Sequence, residues 1–157
     1  METLNQKQLI AYKAMINEEN IFITGPGGSG KSHVLNTFID YFKEHLENET
    51  QKLYVTSSTG LSSLLIQGIT IHQFSGLGSA SKDIDYYIDR VKKNKNIRNR
   101  WKNTKTLIID EISMISDEFF EKLDILGQKI RRNNNPFGGI QIIVSGDFLQ
   151  LPPVKCT

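Results

Sequence analysis

Eight consecutive residues, Gly25, Pro26, Gly27, Gly28, Ser29, Gly30, Lys31 and Ser32, complete a G-x-x-x-x-G-K-[ST] pattern. A loop of this kind turns its backbone N–H groups toward phosphate. Its lysine reaches the β- and γ-phosphates and its hydroxyl can ligate Mg²⁺. A shuffled chain of this composition would show the pattern roughly once in a hundred. The second chemical feature is the pair Asp110 and Glu111, which follows the apolar run Leu107, Ile108, Ile109. Two carboxylates at a strand end can divide the work of phosphoryl transfer: Asp110 as a Mg²⁺ ligand beside Ser32, Glu111 as the general base that orients water. Lys31 and Glu111 are therefore the candidate catalytic groups, and Ser32 and Asp110 the candidate metal ligands. A third feature is the string from Gly146 to Pro153, in which Gln150, with Asp147 near it, could sense the γ-phosphate. A Gly/Pro-terminated turn with surface polar residues fits that string equally well.

Such groups need a scaffold. Ile21–Thr24 reads as a short buried strand ahead of the loop. Ser32–His45 carries helical apolar spacing through Leu35, Phe38, Ile39 and Phe42. That order brings a helix N-terminus to the phosphate. Further strands are expected at Leu53–Thr56, Thr106–Asp110 and Ile140–Ser145. Helices are expected from Gln6 to about Asn17 with Asn5 as cap, briefly after Thr59, from about Asp83 to Ile97, and from about Ser116 to Ile130. Alternation of this kind predicts an α/β domain: a RecA-like P-loop NTPase fold, with a doubly wound, mainly parallel sheet flanked by helices and ligands at the carboxyl ends of the strands.

The 157 residues suit one domain, and 38% hydrophobic with 23% charged residues describes a globular chain. Cys156 is the single cysteine, so no internal disulfide can form, and a reducing, intracellular setting is expected. Nuclear, mitochondrial, bacterial and viral sites are all compatible. No apolar run reaches the ~18 residues of a membrane span, so no membrane association is expected. A net charge of +2 does not by itself call for nucleic acid. The segment from Arg90 to Lys105 is different, with eight basic residues and no acidic one. It reads as a backbone-following stripe or as a solvated helix face. Arg131 and Arg132 read as a helix end without chemistry.

Several blocks together resemble the Pif (petite integration frequency) branch of superfamily-one DNA helicases, related to RecD-type helicases. They are Leu4–Gln8, the phosphate loop, Val55–Gly60 leading to Thr70–Phe74, Leu107–Ile115, and Pro136–Gln141 running into Gly146–Pro153. The resemblance implies ATP and Mg²⁺ as cofactors and single-stranded DNA as partner. The activity it implies is ATP-dependent DNA unwinding, with 5′-to-3′ movement, in replication, repair or recombination. Gln8 matches the glutamine that reads the adenine edge; an exposed helical Gln is the alternative. His33 joins the nucleotide-binding set as the residue after Ser32. Thr56, Ser57 and Thr59 match a block that contacts DNA phosphates, and His72 and Phe74 would pack on sugar or base. A buried Phe74 and a capping His72 remain open.

Relatives of this kind continue into a second RecA-like domain that brings arginines to the γ-phosphate, whereas this sequence stops four residues after Pro153. The expectation is a single first motor domain over residues 1–157, a monomer that binds Mg-ATP, hydrolyses it slowly and unwinds nothing alone. Two alternatives compete. A P-loop nucleoside or nucleotide kinase would need an acceptor pocket and a lid rich in arginine, and would release phosphorylated nucleoside rather than phosphate. A non-catalytic, nucleotide-dependent DNA-binding adaptor would bind without turnover.

Overall fold

Asp110 ends the middle strand of a five-stranded parallel sheet. The structure is a computed structural model that describes residues 3–25, 30–59 and 68–147. Its strands are β1 (Ile21–Thr24), β2 (Lys52–Ser57), β3 (Ile69–Thr70), β4 (Thr104–Asp110) and β5 (Gln141–Gly146), in the spatial order β1-β5-β4-β2-β3. All four pairings are parallel. The RecA-like doubly wound architecture expected from the sequence is present.

Period-two alternation sends the buried strands' side chains into two separate cores. Ile108 and Ile143 join Met15 of α1 (Gln6–Ile16) and Val34, Leu35, Phe38 and Phe42 of α2 (Lys31–His45) on one face. Leu107, Ile109, Ile142 and Val144 face α3 (Ile71–Ser75), α4 (Ile84–Lys93), α5 (Lys95–Asn103) and α6 (Asp117–Arg131) on the other. Each fully buried Leu, Ile or Phe contributes about 1.5–3 kcal/mol, so the strand contributes to both layers at once. Parallel pairing then aligns the carboxyl ends: Thr24 opposite Gly146, and Ser57 opposite Asp110.

Asn5 caps α1 through a reciprocal capping box with Gln8. Within that helix Met15 is buried, while Leu9 and Ile10 are exposed. The helix expected from Asp83 to Ile97 is two helices. Asn94 takes an extended backbone, ends α4 through its N–H to Val91 O, and caps α5 by accepting from Ile97 N at 3.2 Å. The break turns Trp101 fully inward, its indole N–H donating to Ser75 O. Neither β3 nor α3 was expected, although Thr70 and Gln73 form a second capping box. The short helix expected after Thr59 lies outside the described residues.

Arg131 organises the amino ends of the strands. Its Nε donates to Gly138 O, and its Nη1 donates to the carbonyls of Trp101, Lys102 and Thr104. Burial lowers its pKa from the ordinary arginine value. The turn it secures needs glycine: Gly138 has φ +66°, and a Cβ there would meet Gly127 O at 2.4 Å.

Candidate nucleotide site and adjoining polar block

β1 leads into the phosphate loop, and Gly30, in the left-handed region at φ 86°, starts α2. That places Lys31, Ser32 and His33 in the first turn of the helix. Lys31 Nζ donates to the carbonyl of Gly25, folding the amine back across the loop. Ser32 is exposed, and His33 is half-buried with its carbonyl accepting from Thr37 Oγ1. Pro26, Gly27, Gly28 and Ser29 lie outside the described residues, as does Gln150.

Gln8 lies against Gly30, the residue that opens α2. Its Nε2 donates to Gly30 O at 3.1 Å, and its Oε1 accepts from Asn5 N at 2.9 Å. A Cβ on Gly30 would approach Gln8 Nε2 to 2.3 Å. The amide thus spans the start of α1 and the start of α2, so the two helices register on the phosphate loop.

The parallel register of β4 and β5 explains the fixed orientation of Asp110. Its Oδ1 accepts from Ser145 Oγ at 2.6 Å and from Glu111 N at 2.9 Å. Ser145 was missed at the sequence level; only the pairing of Ile109 with Val144 brings it beside the carboxylate. An oriented carboxylate at the end of β4 and an exposed serine hydroxyl in the first turn of α2 offer oxygen donors only. That chemistry fits Mg²⁺, which takes one or two protein oxygens and fills its octahedron with phosphate and water.

Glu111 sits in the left-handed region at φ 58° and ψ 43°. For a non-glycine residue this backbone costs on the order of 1–3 kcal/mol, and surrounding contacts must hold it. They come from the segment after β2. Thr59 Oγ1 donates to Glu111 Oε2 at 2.8 Å, Ser58 Oγ donates to Glu111 O at 3.1 Å, and Ser58 N to Asp110 O at 3.4 Å. Ser58 was also missed. The carboxylate is therefore held by the block that the sequence linked to DNA.

That block is otherwise more structural than expected. Thr56 and Ser57 are fully buried: Thr56 Oγ1 donates to Ile108 O at 2.8 Å inside the sheet, and Ser57 Oγ to Thr59 O. Their hydroxyls serve β2 and its following turn, which corrects their assignment to phosphate contact. Phe74 is 0% exposed, between Tyr54 and Trp101 at centroid separations of 5.2 and 5.3 Å. A ring closed in on both sides is unavailable to a base, so stacking on Phe74 is likewise corrected. His72 does not cap; the Thr70 side chain does, by accepting from Gln73 N. Its half-buried ring rests on Phe119, and burial lowers its pKa from the usual histidine value. Thr59 and His72 remain partly accessible.

Among the described residues, no helix is long and apolar enough to cross a membrane. A family model described as PIF1-like helicase matches residues 3–157. The "ATP-dependent DNA helicase PIF1" of Emericella nidulans is 42% identical over 152 residues, 96% of this chain. A crystal structure of Pif1 helicase from Candida albicans superposes with a TM-score of 0.90 at 40% identity, covering 99% of this chain. A Bacteroides Pif1 helicase in complex with ADP-AlF3 and single-stranded DNA superposes at 0.72 with 26% identity, covering all of this chain. This chain spans 20% of the Emericella protein's length and about a third of each of the two solved chains, 35%.

Proposed function

This chain belongs to the PIF1-like helicase family, and from that premise we propose that it is the ATP-binding motor domain of an ATP-dependent DNA helicase. Lys31 contacts the β- and γ-phosphates once the nucleotide draws it from Gly25 O. Gln8 reads the base, and residues 25–33 bind the triphosphate. Ser32 and Asp110 hold Mg²⁺, which when bound neutralises the phosphate charge. Glu111 accepts the proton of the attacking water. A second RecA-like domain in the longer protein supplies arginine to the γ-phosphate, a contribution typically worth ~10³–10⁵ in rate. Translocation, 5′-to-3′, needs both domains.

The observation that carries this reading is the Thr59–Glu111 hydrogen bond. It joins the candidate general base to a segment beside the candidate DNA surface. With no strand bound, Thr59 holds the carboxylate toward its own loop. A DNA phosphate that accepts from Thr59 frees Glu111 to turn to the water. Hydrolysis is then gated by DNA through one side chain, and a kinase or a passive adaptor has no use for that link.

The test is phosphate release from Mg-ATP by this chain, with and without single-stranded DNA and with Lys31→Ala as the blank. Slow release, stimulated by DNA and absent from the blank, is expected. Phosphorylated nucleoside as product, or binding without release above the blank, would overturn the assignment of hydrolysis to this domain.

A further inference from the structure

The amino ends of the strands carry a feature that the ATP site does not use. Lys102 at the end of α5, and Ile130, Arg131 and Arg132 at the end of α6, line a surface notch of about 290 Å³. The notch contains no carboxylate, and none of its three cations forms an ion pair among the described residues. Lys102 and Arg132 are exposed, whereas Arg131 is half-buried and committed to backbone carbonyls. Arg132 also occupies the left-handed position at φ 53°, where glycine is the common choice at a helix end. A larger cavity of about 390 Å³ adjoins the notch through Arg131, and there Lys105 is neutralised by Glu18 at 2.7 Å.

This part of the molecule is remote from ATP. β4 runs from Thr104, beside the notch, to Asp110. Its length is about 20 Å at about 3.3 Å per residue. The basic stretch read in the sequence divides here. Arg98 and Arg100 donate to backbone carbonyls, and Lys93 and Lys105 are paired with acids. Arg90, Lys92, Lys95 and Lys102 form no ion pair among the described residues, and of these four it is Lys102 that lines the notch.

We propose that this notch grips the phosphodiester backbone of duplex nucleic acid, as a second contact separate from any strand at the carboxyl ends. Three cations without an acid are complementary to phosphate. No aromatic ring lines the notch, and its one apolar lining residue is Ile130. Single-strand sites add aromatic platforms for bases, whereas duplexes keep their bases stacked and offer phosphate alone. The notch therefore suits the duplex.

The ordinary role of such cations is to offset the negative ends of α5 and α6, and the control is chosen against it. Lys102→Gln/Arg132→Asn keeps Arg131 and places a residue at 132 that tolerates a left-handed backbone. Lys13→Gln/Lys43→Gln removes two exposed lysines from the last turns of α1 and α2. Affinity for a short labelled DNA duplex and for its single strand is measured against salt, with melting curves for each variant. The notch variant is expected to weaken duplex binding several-fold and to reduce the salt slope by up to about 1.8, at about 0.9 per phosphate contact. The control is expected to change little, and Lys31→Ala to leave the contact intact, which separates this proposal from the ATP reading. Equal losses in notch and control variants would reduce the effect to net charge and overturn the proposal. Losses confined to the single strand, or no duplex binding by the unmodified chain at low salt, would overturn it as well.

Discussion

The two ends of the parallel sheet solve the same problem, the satisfaction of polar groups near a core, in opposite ways. At the amino ends the acceptors are backbone carbonyls already fixed by the fold. Arg131 binds those of Gly138, Trp101, Lys102 and Thr104, and Gln141 donates to those of Met15 and Glu19. At the carboxyl ends side chains hold one another or a loop: Ser145 holds Asp110, Thr59 holds Glu111, and Lys31 rests on Gly25. Bonds of the first kind cannot be exchanged without unfolding. Bonds of the second kind can be traded for phosphate, metal or water at little net cost, because an intramolecular hydrogen bond is worth only about 0.5–1.5 kcal/mol over its replacement. The contrast separates architecture from function more cleanly than residue type does, since arginine and lysine are abundant at the architectural end.

Substitutions at the two ends should therefore fail in different currencies. The largest effect is expected for Glu111→Gln. Phosphate release should fall by about 10²–10⁴, the usual contribution of a general base, while nucleotide affinity and melting temperature hold. Equal loss of nucleotide binding would make Glu111 structural and erase the contrast. Arg131→Met should do the reverse, costing about 1–3 kcal/mol of stability through carbonyls left unpaired. Denaturant unfolding reads that loss, and nucleotide affinity should be preserved in the folded fraction. Asn5→Ala should cost about 1 kcal/mol through the lost cap. It should also weaken nucleotide binding, because the Asn5 side chain accepts from Gln8 N and so fixes the turn in which the Asn5 N–H holds the Gln8 amide against Gly30. A loss of stability alone would remove Gln8 from the site.

The smallest effect concerns His72. Burial lowers its pKa, so the folded protein resists protonation more than the unfolded chain does. Its contribution is fully present above the unfolded histidine value near 6.5 and is lost as pH falls below it. His72→Phe should flatten that part of the stability profile, read by melting between neutral and mildly acidic pH.

Much of the carboxyl end was legible because its signals are local. A glycine-rich run before Lys31 and two carboxylates after an apolar run each declare their chemistry within a few residues of chain. The strand Ile21–Thr24 was placed as observed, since its flanking turn residues bound it. What stayed hidden depends on partners distant in sequence. Arg131 read as a plain helix end because its carbonyl acceptors come from α5, β4 and a later turn. Ser145 meets Asp110 only through register. For Phe74 the resemblance implied stacking and burial stayed open, because its local spacing carries no sign of Trp101 packing against it. The break at Asn94 lacks glycine or proline, so a continuous helix was the natural reading. The boxes at Asn5–Gln8 and Thr70–Gln73 show the opposite case: the second was readable from its spacing and marked the unexpected α3.

The central claim, that the carboxyl-end contacts are exchangeable and couple DNA to ATP, rests most directly on Thr59. The measurement is phosphate release from Mg-ATP with and without single-stranded DNA, comparing the unmodified chain with Thr59→Val and Thr59→Ser. The account predicts that Thr59→Val raises release without DNA and abolishes the stimulation, while Thr59→Ser restores both. A Thr59→Val protein that keeps the unmodified ratio of DNA-stimulated to basal release would contradict it.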